Sequence, residues 1–188
     1  YSTNSISLAF GGNYSYTKLY RKSNNGISSD TSYVFVAQID SNTYSYIDTL
    51  LTPNLYYTYT LIPYNALNQR GISQSVSQST LATLTSFYSG TNQTNSVKLY
   101  FTGNYYYINL QRSDNGLNQN IYDVSYTDNS VESDTIYSYT IVPYNLKGIA
   151  NYDISMNIVT TYTLPLLTPG SCFINNVTSS SVQLNYNG

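Results

Sequence analysis

Two pairs of aspartates come nearest to a catalytic or metal-binding set: Asp40 with Asp48, and Asp128 with Asp134. Paired carboxylates can act as general acid and base, or as calcium ligands. Neither pair has the spacing of a calcium-binding loop, and neither is expected to recur at matching places along the chain. The expectation is therefore solvated loop acids. The remaining inventory is thin. There is no His, and Cys172 is the one cysteine. Zinc and histidine–copper sites lack their ligands, and Ser-His-Asp and Cys-His mechanisms lack their base. No catalytic residue, cofactor or metal site is expected. Cys172 is expected to be a small buried hydrophobe at the start of a strand.

Binding chemistry rests on tyrosine, which occurs 24 times. Tyr14, Tyr16, Tyr20, Tyr105 and Tyr107 are expected to point outward and to offer an aromatic strip. Such a strip can hold a partner protein or stack on sugar rings. The preferred reading is the simpler one, that tyrosine favours strands and packs across a sheet face. No polar cluster converges beside these residues, so packing into an assembly is preferred over recognition of a small ligand. Asn13, Asn92 and Asn176 begin N-glycosylation sequons. Asn, Ser and Thr are abundant enough for such triplets to arise by chance.

Charge narrows the partners. Only 9% of residues are charged, and Lys plus Arg number 7 against 9 Asp plus Glu. Scattered basic residues make no nucleic-acid footprint. No apolar run approaches the roughly 18 residues of a membrane-spanning helix. No signal-peptide pattern is present, and the chain begins at Tyr1; targeting signals are expected elsewhere in a longer parent.

The elements that carry these residues repeat. Ser5-Ile6-Ser7-Leu8-Ala9-Phe10 recurs as Ser96-Val97-Lys98-Leu99-Tyr100-Phe101 and as Ser181-Val182-Gln183-Leu184-Asn185-Tyr186. Gly12-Asn13-Tyr14 through Leu19-Tyr20-Arg21 matches Gly103-Asn104-Tyr105 through Leu110-Gln111-Arg112. Tyr57-Thr58-Tyr59-Thr60-Leu61-Ile62-Pro63-Tyr64-Asn65 matches Tyr137-Ser138-Tyr139-Thr140-Ile141-Val142-Pro143-Tyr144-Asn145. The expected units are 1–83, which lacks a first strand, 84–167, which is complete, and 168–188, the opening strands of a third. This frame suits a window on a longer tandem array. Alternatively, a terminal strand pairs with a neighbouring molecule.

Alternation with period two marks strands within each block. Ile6, Leu8 and Phe10 share a face, as do Val97, Leu99 and Phe101, and Val182, Leu184 and Tyr186. Tyr57, Tyr59 and Leu61 form another face, repeated by Tyr137, Tyr139 and Ile141. Thr17 and Leu19, and likewise Ile108 and Leu110, are expected inside. Asn24-Asn25-Gly26 and Asp114-Asn115-Gly116 supply turns. Pro165 and Pro169 bracket a stiff joint. No stretch shows helical periodicity. About seven short strands in roughly 90 residues predict an all-β immunoglobulin-like sandwich.

The run Leu51-Thr52-Pro53-Asn54-Leu55-Tyr56-Tyr57, followed by Asn65 and Gly71, resembles fibronectin type III repeats. The resemblance implies tandem β-sandwiches, with Tyr57 and Tyr137 as corner tyrosines. Leu8-Ala9-Phe10 and its copies stand where that family has Leu-x-Trp, and Val131 and Ser133 replace the corner Leu and Pro in the second repeat. Arrays of similar composition occur in structural proteins of large DNA viruses and in bacterial surface proteins. The implied role is structural: a spacer, fibre or decorating protein on a virion or cell surface. Its partners would be copies of itself or neighbouring proteins, with no nucleic acid and no membrane insertion. An adhesin that binds glycans through the tyrosines is the alternative.

Overall fold

The computed structural model describes residues 2–24, 32–153, 158–167 and 170–186. All regular structure among these residues is β. In the first unit, β1 (Ile6–Ala9) pairs with β4 (Ser45–Asp48). Facing them is a four-stranded sheet ordered β3-β2-β5-β6, from β2 (Tyr16–Asn24), β3 (Val34–Asp40), β5 (Tyr56–Tyr64) and β6 (Gln74–Ser79). In the second unit, β7 (Thr83–Ser89), β8 (Val97–Asn104) and β11 (Ser125–Asp128) form a sheet ordered β11-β8-β7. It faces β10-β9-β12-β13, from β9 (Tyr107–Arg112), β10 (Asn118–Ile121), β12 (Ile136–Tyr144) and β13 (Ile158–Tyr162). A hairpin of β14 (Cys172–Val177) and β15 (Val182–Tyr186) follows. Every pairing is antiparallel. Strand β7 has no counterpart ahead of β1 among the described residues.

Alternation builds both cores. Ile6, Leu8, Leu19, Ile39, Leu51, Tyr57 and Tyr59 enclose the first, and Phe10 and Leu61 pack against it half-buried. Val97, Leu99, Phe101, Ile108, Leu110, Tyr137, Tyr139 and Ile141 lead the second. Each large side chain buried this way contributes about 1.5–3 kcal/mol. The turn at Asp114 forms as expected: Asn115 takes φ 61°, and Gly116 N–H donates to Asp114 Oδ1 at 2.9 Å. The Asn25-Gly26 turn and Pro169 lie outside the described residues.

The hairpin departs from expectation. Val182 and Leu184 are 57% and 62% exposed, and Cys172 is exposed rather than buried. Their face has the right pattern for a core, but among the described residues no second sheet covers it.

Candidate interaction site at the junction between repeats

The aspartates require the first correction. Asp48 and Asp128 are neither solvated nor unrelated. They occupy matching positions, at the ends of β4 and β11, and are 5% and 1% exposed. On β2 and β9 the inward positions run Thr17, Leu19, Arg21 and Ile108, Leu110, Arg112, so each strand places a guanidinium where the alternation calls for an apolar group. Arg21 Nη1 meets Asp48 Oδ2 at 2.7 Å, and Arg112 Nη1 meets Asp128 Oδ2 at 2.6 Å. Tyr59 and Tyr139 hydroxyls donate to the same carboxylate oxygens at 2.8 and 2.9 Å. The guanidinium then lies over a corner tyrosine, Arg21 over Tyr57 and Arg112 over Tyr137.

The second copy is the more elaborate. Asp114 and the Ser130 carbonyl and hydroxyl also bind Arg112, and Ser130 donates from both backbone and side chain to Asp128 Oδ1. Burial works against the charge on Asp128, yet its hydrogen bonds with Ser130, Tyr139 and Arg112 hold its carboxyl below the usual range. Burial also opposes the charge on Arg112, and the bonds to Asp114 and Asp128 outweigh it. Burial and the aspartate together push both tyrosine hydroxyls well above their ordinary value. These groups are mutually satisfied, so they offer no free acid or base. Asp40 and Asp134 do not join them; Asp134 takes φ 53° in the turn before β12.

The corner tyrosines sit at matching places. Thr52 N–H donates to the Tyr57 hydroxyl at 2.9 Å, and Glu132 N–H donates to that of Tyr137 at 2.9 Å. The tyrosine strip is not continuous. Tyr16 stacks on Tyr64, 4.9 Å between centroids, and Tyr107 stacks on Tyr144 at 4.6 Å. Tyr20 meets Phe35 edge-on, but its counterpart is Gln111, tied into an amide ladder with Asn109. Tyr105 turns inward instead of outward, packing edge-on to Phe101 at 6.4 Å, because it precedes β9 rather than lying in its alternation. Tyr14, its counterpart, is half-buried with its hydroxyl inside. A cluster not anticipated gathers Tyr106 and Tyr122 around Tyr107.

Of the sequons, Asn13 is exposed. Asn92 donates its Nδ2 to Thr161 Oγ1 at 2.5 Å and to the Tyr162 carbonyl at 2.6 Å, so the nitrogen that would carry a glycan is engaged in the fold. Asn176 lies in β14, and its side chain is outside the described residues.

The residues that sequence reasoning missed are asparagines between the units. After β12, Asn145 folds its loop by accepting the N–H groups of Lys147 and Ile149 on Oδ1. This leaves Nδ2 pointing at the first unit, where it donates to the Thr80 carbonyl at 2.8 Å. Asn151 Nδ2 donates to the Ala82 carbonyl at 2.8 Å. In the opposite direction, Asn54, held at φ 56°, accepts the Leu146 N–H at 2.8 Å. Left-handed φ is tolerated best by Asn among residues with side chains. Lys147 Nζ lies 4.3 Å from the Tyr56 ring centroid. Asn145 and Thr80 are fully buried here. In the first unit Asn65 builds the same loop, accepting from Leu67 and Gln69, but its Nδ2 meets only Gln69 and it stays exposed. Asparagine is so common in this sequence that nothing distinguishes these three beforehand, except that Asn145 and Asn65 end aligned blocks.

No family profile matches the chain, and no curated protein matches it by sequence. Solved structures do match. A two-domain fibronectin type III segment of chicken tenascin aligns with a TM-score of 0.58 at 12% identity, over 85% of this chain and 91% of that one. The FN1–FN3 domains of chicken CNTN1 align with a TM-score of 0.40 at 12% identity, over 98% of this chain and 71% of that one. At such identity the likeness to the tenascin segment speaks of architecture alone, and it agrees with the strand orders above: the chain has the fold of tandem fibronectin type III domains.

Proposed function

We propose that the chain is a non-catalytic structural segment of a tandem array, a spacer or fibre element on a virion or cell surface, working through protein–protein contacts. Its units are 1–82, 83–167 and 168–188, the second opening with β7. The observation that carries this reading is the junction: three side-chain amide hydrogen bonds of Asn54, Asn145 and Asn151, the latter two buried, fix one unit against the next. A flexible string of binding modules has no use for such a lock, whereas a spacer of set geometry does. The strip that sugar binding would use is interrupted at Gln111 and Tyr105, so protein contacts are the better-supported choice.

Residual dipolar couplings measured on both units test the proposal. The native chain is expected to report one inter-unit orientation, and Asn145→Ala combined with Asn151→Ala to broaden it while each unit stays folded. A native chain already as broad as the variant would overturn the reading.

A further inference from the structure

The two sandwiches share a framework but differ on the outer face of the four-stranded sheet. In the first unit, Tyr20, Tyr33, Thr60, Ile62 and Arg70 line an open groove of about 320 Å³. Rings wall it on the β3 side, where Tyr20 meets Phe35 edge-on. Arg70, which bridges to Tyr64, stands on the other side. Its guanidinium forms no ion pair among the described residues. Asp40 belongs to the same row of the sheet, but the stacked rings of Tyr16 and Tyr64 lie between. Lys18 and Lys22 add charge to this face, each Nζ 5.2 Å from a ring centroid, of Tyr64 and Tyr33 respectively.

In the second unit the matching positions hold Gln111, Thr140, Val142 and Ala150, and Asn118 stands where Phe35 does. Asn109 donates to Asn118 and Asn120 and accepts from Gln111, so the face is neutral and its amides are already paired. The junction leaves this face alone. The second unit's hydrogen bonds across it come from Asn104, Asn145, Leu146 and Asn151.

The reverse difference appears ahead of β11. Tyr122-Asp123-Val124 is exposed there, with Tyr122 and Val124 62% and 66% accessible. The first unit has Asn42-Thr43-Tyr44 in the same place. The Asp123 carbonyl accepts the Tyr105 hydroxyl at 3.4 Å, and the Val124 carbonyl accepts the Phe101 N–H at 3.0 Å. The backbone is thus held while the side chains face water. The Asp123 carboxylate forms no ion pair among the described residues. Residues 1–82 contain four Lys or Arg against three Asp, whereas residues 83–167 contain three against six Asp or Glu. Each unit carries an excess of the charge that the other lacks.

We propose that the groove of the first unit is an interaction site and that its occupant is the Tyr122-Asp123-Val124 loop of a second copy of this chain. The Asp123 carboxylate meets the Arg70 guanidinium, whose planar fork suits two parallel hydrogen bonds. Tyr122 and Val124 cover Tyr20, Tyr33 and Ile62, and this burial supplies affinity. Opposite charge steers the first unit of one copy to the second unit of another. Every copy offers one groove and one loop on different units, so the contact joins copies side by side. The proposal rests on the reading of the chain as a structural segment working through protein contacts, and names the partner. The junction asparagines take no part in it, so inter-unit orientation and self-association fail independently.

Sedimentation equilibrium at low salt is the test. The native chain is expected to show mass rising with concentration. Arg70→Asp and Asp123→Arg, both at exposed positions, are each expected to weaken association at least about tenfold, and the chain carrying both reversals to recover it. Glu132→Arg makes the same change in net charge at another exposed carboxylate, and is expected to stay within about threefold of native. A native chain that is monomeric at every concentration would overturn the proposal. So would association that either reversal leaves intact, a double variant no better than the single ones, or an equal loss in Glu132→Arg.

Discussion

Asp128 illustrates what one residue does inside a sheet protein with so little charge. Its carboxylate answers a guanidinium whose side chain is 5% exposed. Converting it to asparagine removes the counter-charge and keeps the shape. Breaking a buried pair in this way costs about 3–5 kcal/mol, and chemical denaturation of Asp128→Asn is expected to show a loss of that order. Asp48→Asn should cost less, because the Arg21 side chain is 28% exposed and can turn towards water. The same groups set an acid limit. Asp114 and Asp128 both have lowered folded-state values, so the unfolded chain binds more protons than the folded one as acid is added. Their stabilisation is complete above the ordinary carboxylate value of about 3.9 and is lost as pH falls through the lower folded values. Melting temperature against pH should fall steeply there for the native chain, and less steeply for Asp128→Asn.

The strand connections show what an element needs from its ends. Between β4 and β5 the chain must turn from one sheet to the other, and the Tyr57 hydroxyl takes up the Thr52 N–H there. Tyr57→Phe and Tyr137→Phe each delete that acceptor, and each should destabilise its unit by about 0.5–1.5 kcal/mol, read from unfolding midpoints. This much was legible in the sequence: the inward faces follow from period-two alternation, a local signal, and the corner tyrosines are what the resemblance of their run to fibronectin type III repeats implies. The charged units were written there too. Arg21 and Arg112 continue the inward rows of β2 and β9, and Asp48 and Asp128 precede the corner at matching distances. They read as surface residues because each partner comes from a distant strand, and local pattern carries no information about such pairing. Tyr105 was misplaced for a related reason: alternation fixes a face only inside the strand, and β9 begins at Tyr107. The hairpin of β14 and β15 carries the pattern of a core edge, but pattern does not reveal whether a second sheet is present to cover it.

At the scale of the whole molecule, two sandwiches built on the same plan are joined by residues that belong to neither core. Asn54, Asn145 and Asn151 each bond across the boundary, and the linking segment Thr80–Ala82 provides carbonyls as well as covalent continuity. Each bond contributes about 0.5–1.5 kcal/mol, so the two units should also unfold with some mutual dependence. Calorimetry of Asn145→Ala is expected to separate a heat-absorption peak that the native chain shows as one.

The junction is neutral, apart from the Lys147 contact with Tyr56, whereas the interior of each sandwich holds an ion pair. Ionic strength and moderate acidity act on charges and leave amide-to-carbonyl bonds nearly untouched. The direction in which one bead follows another should therefore hold from brine to dilute buffer, and strong acid should melt the beads before it bends the string.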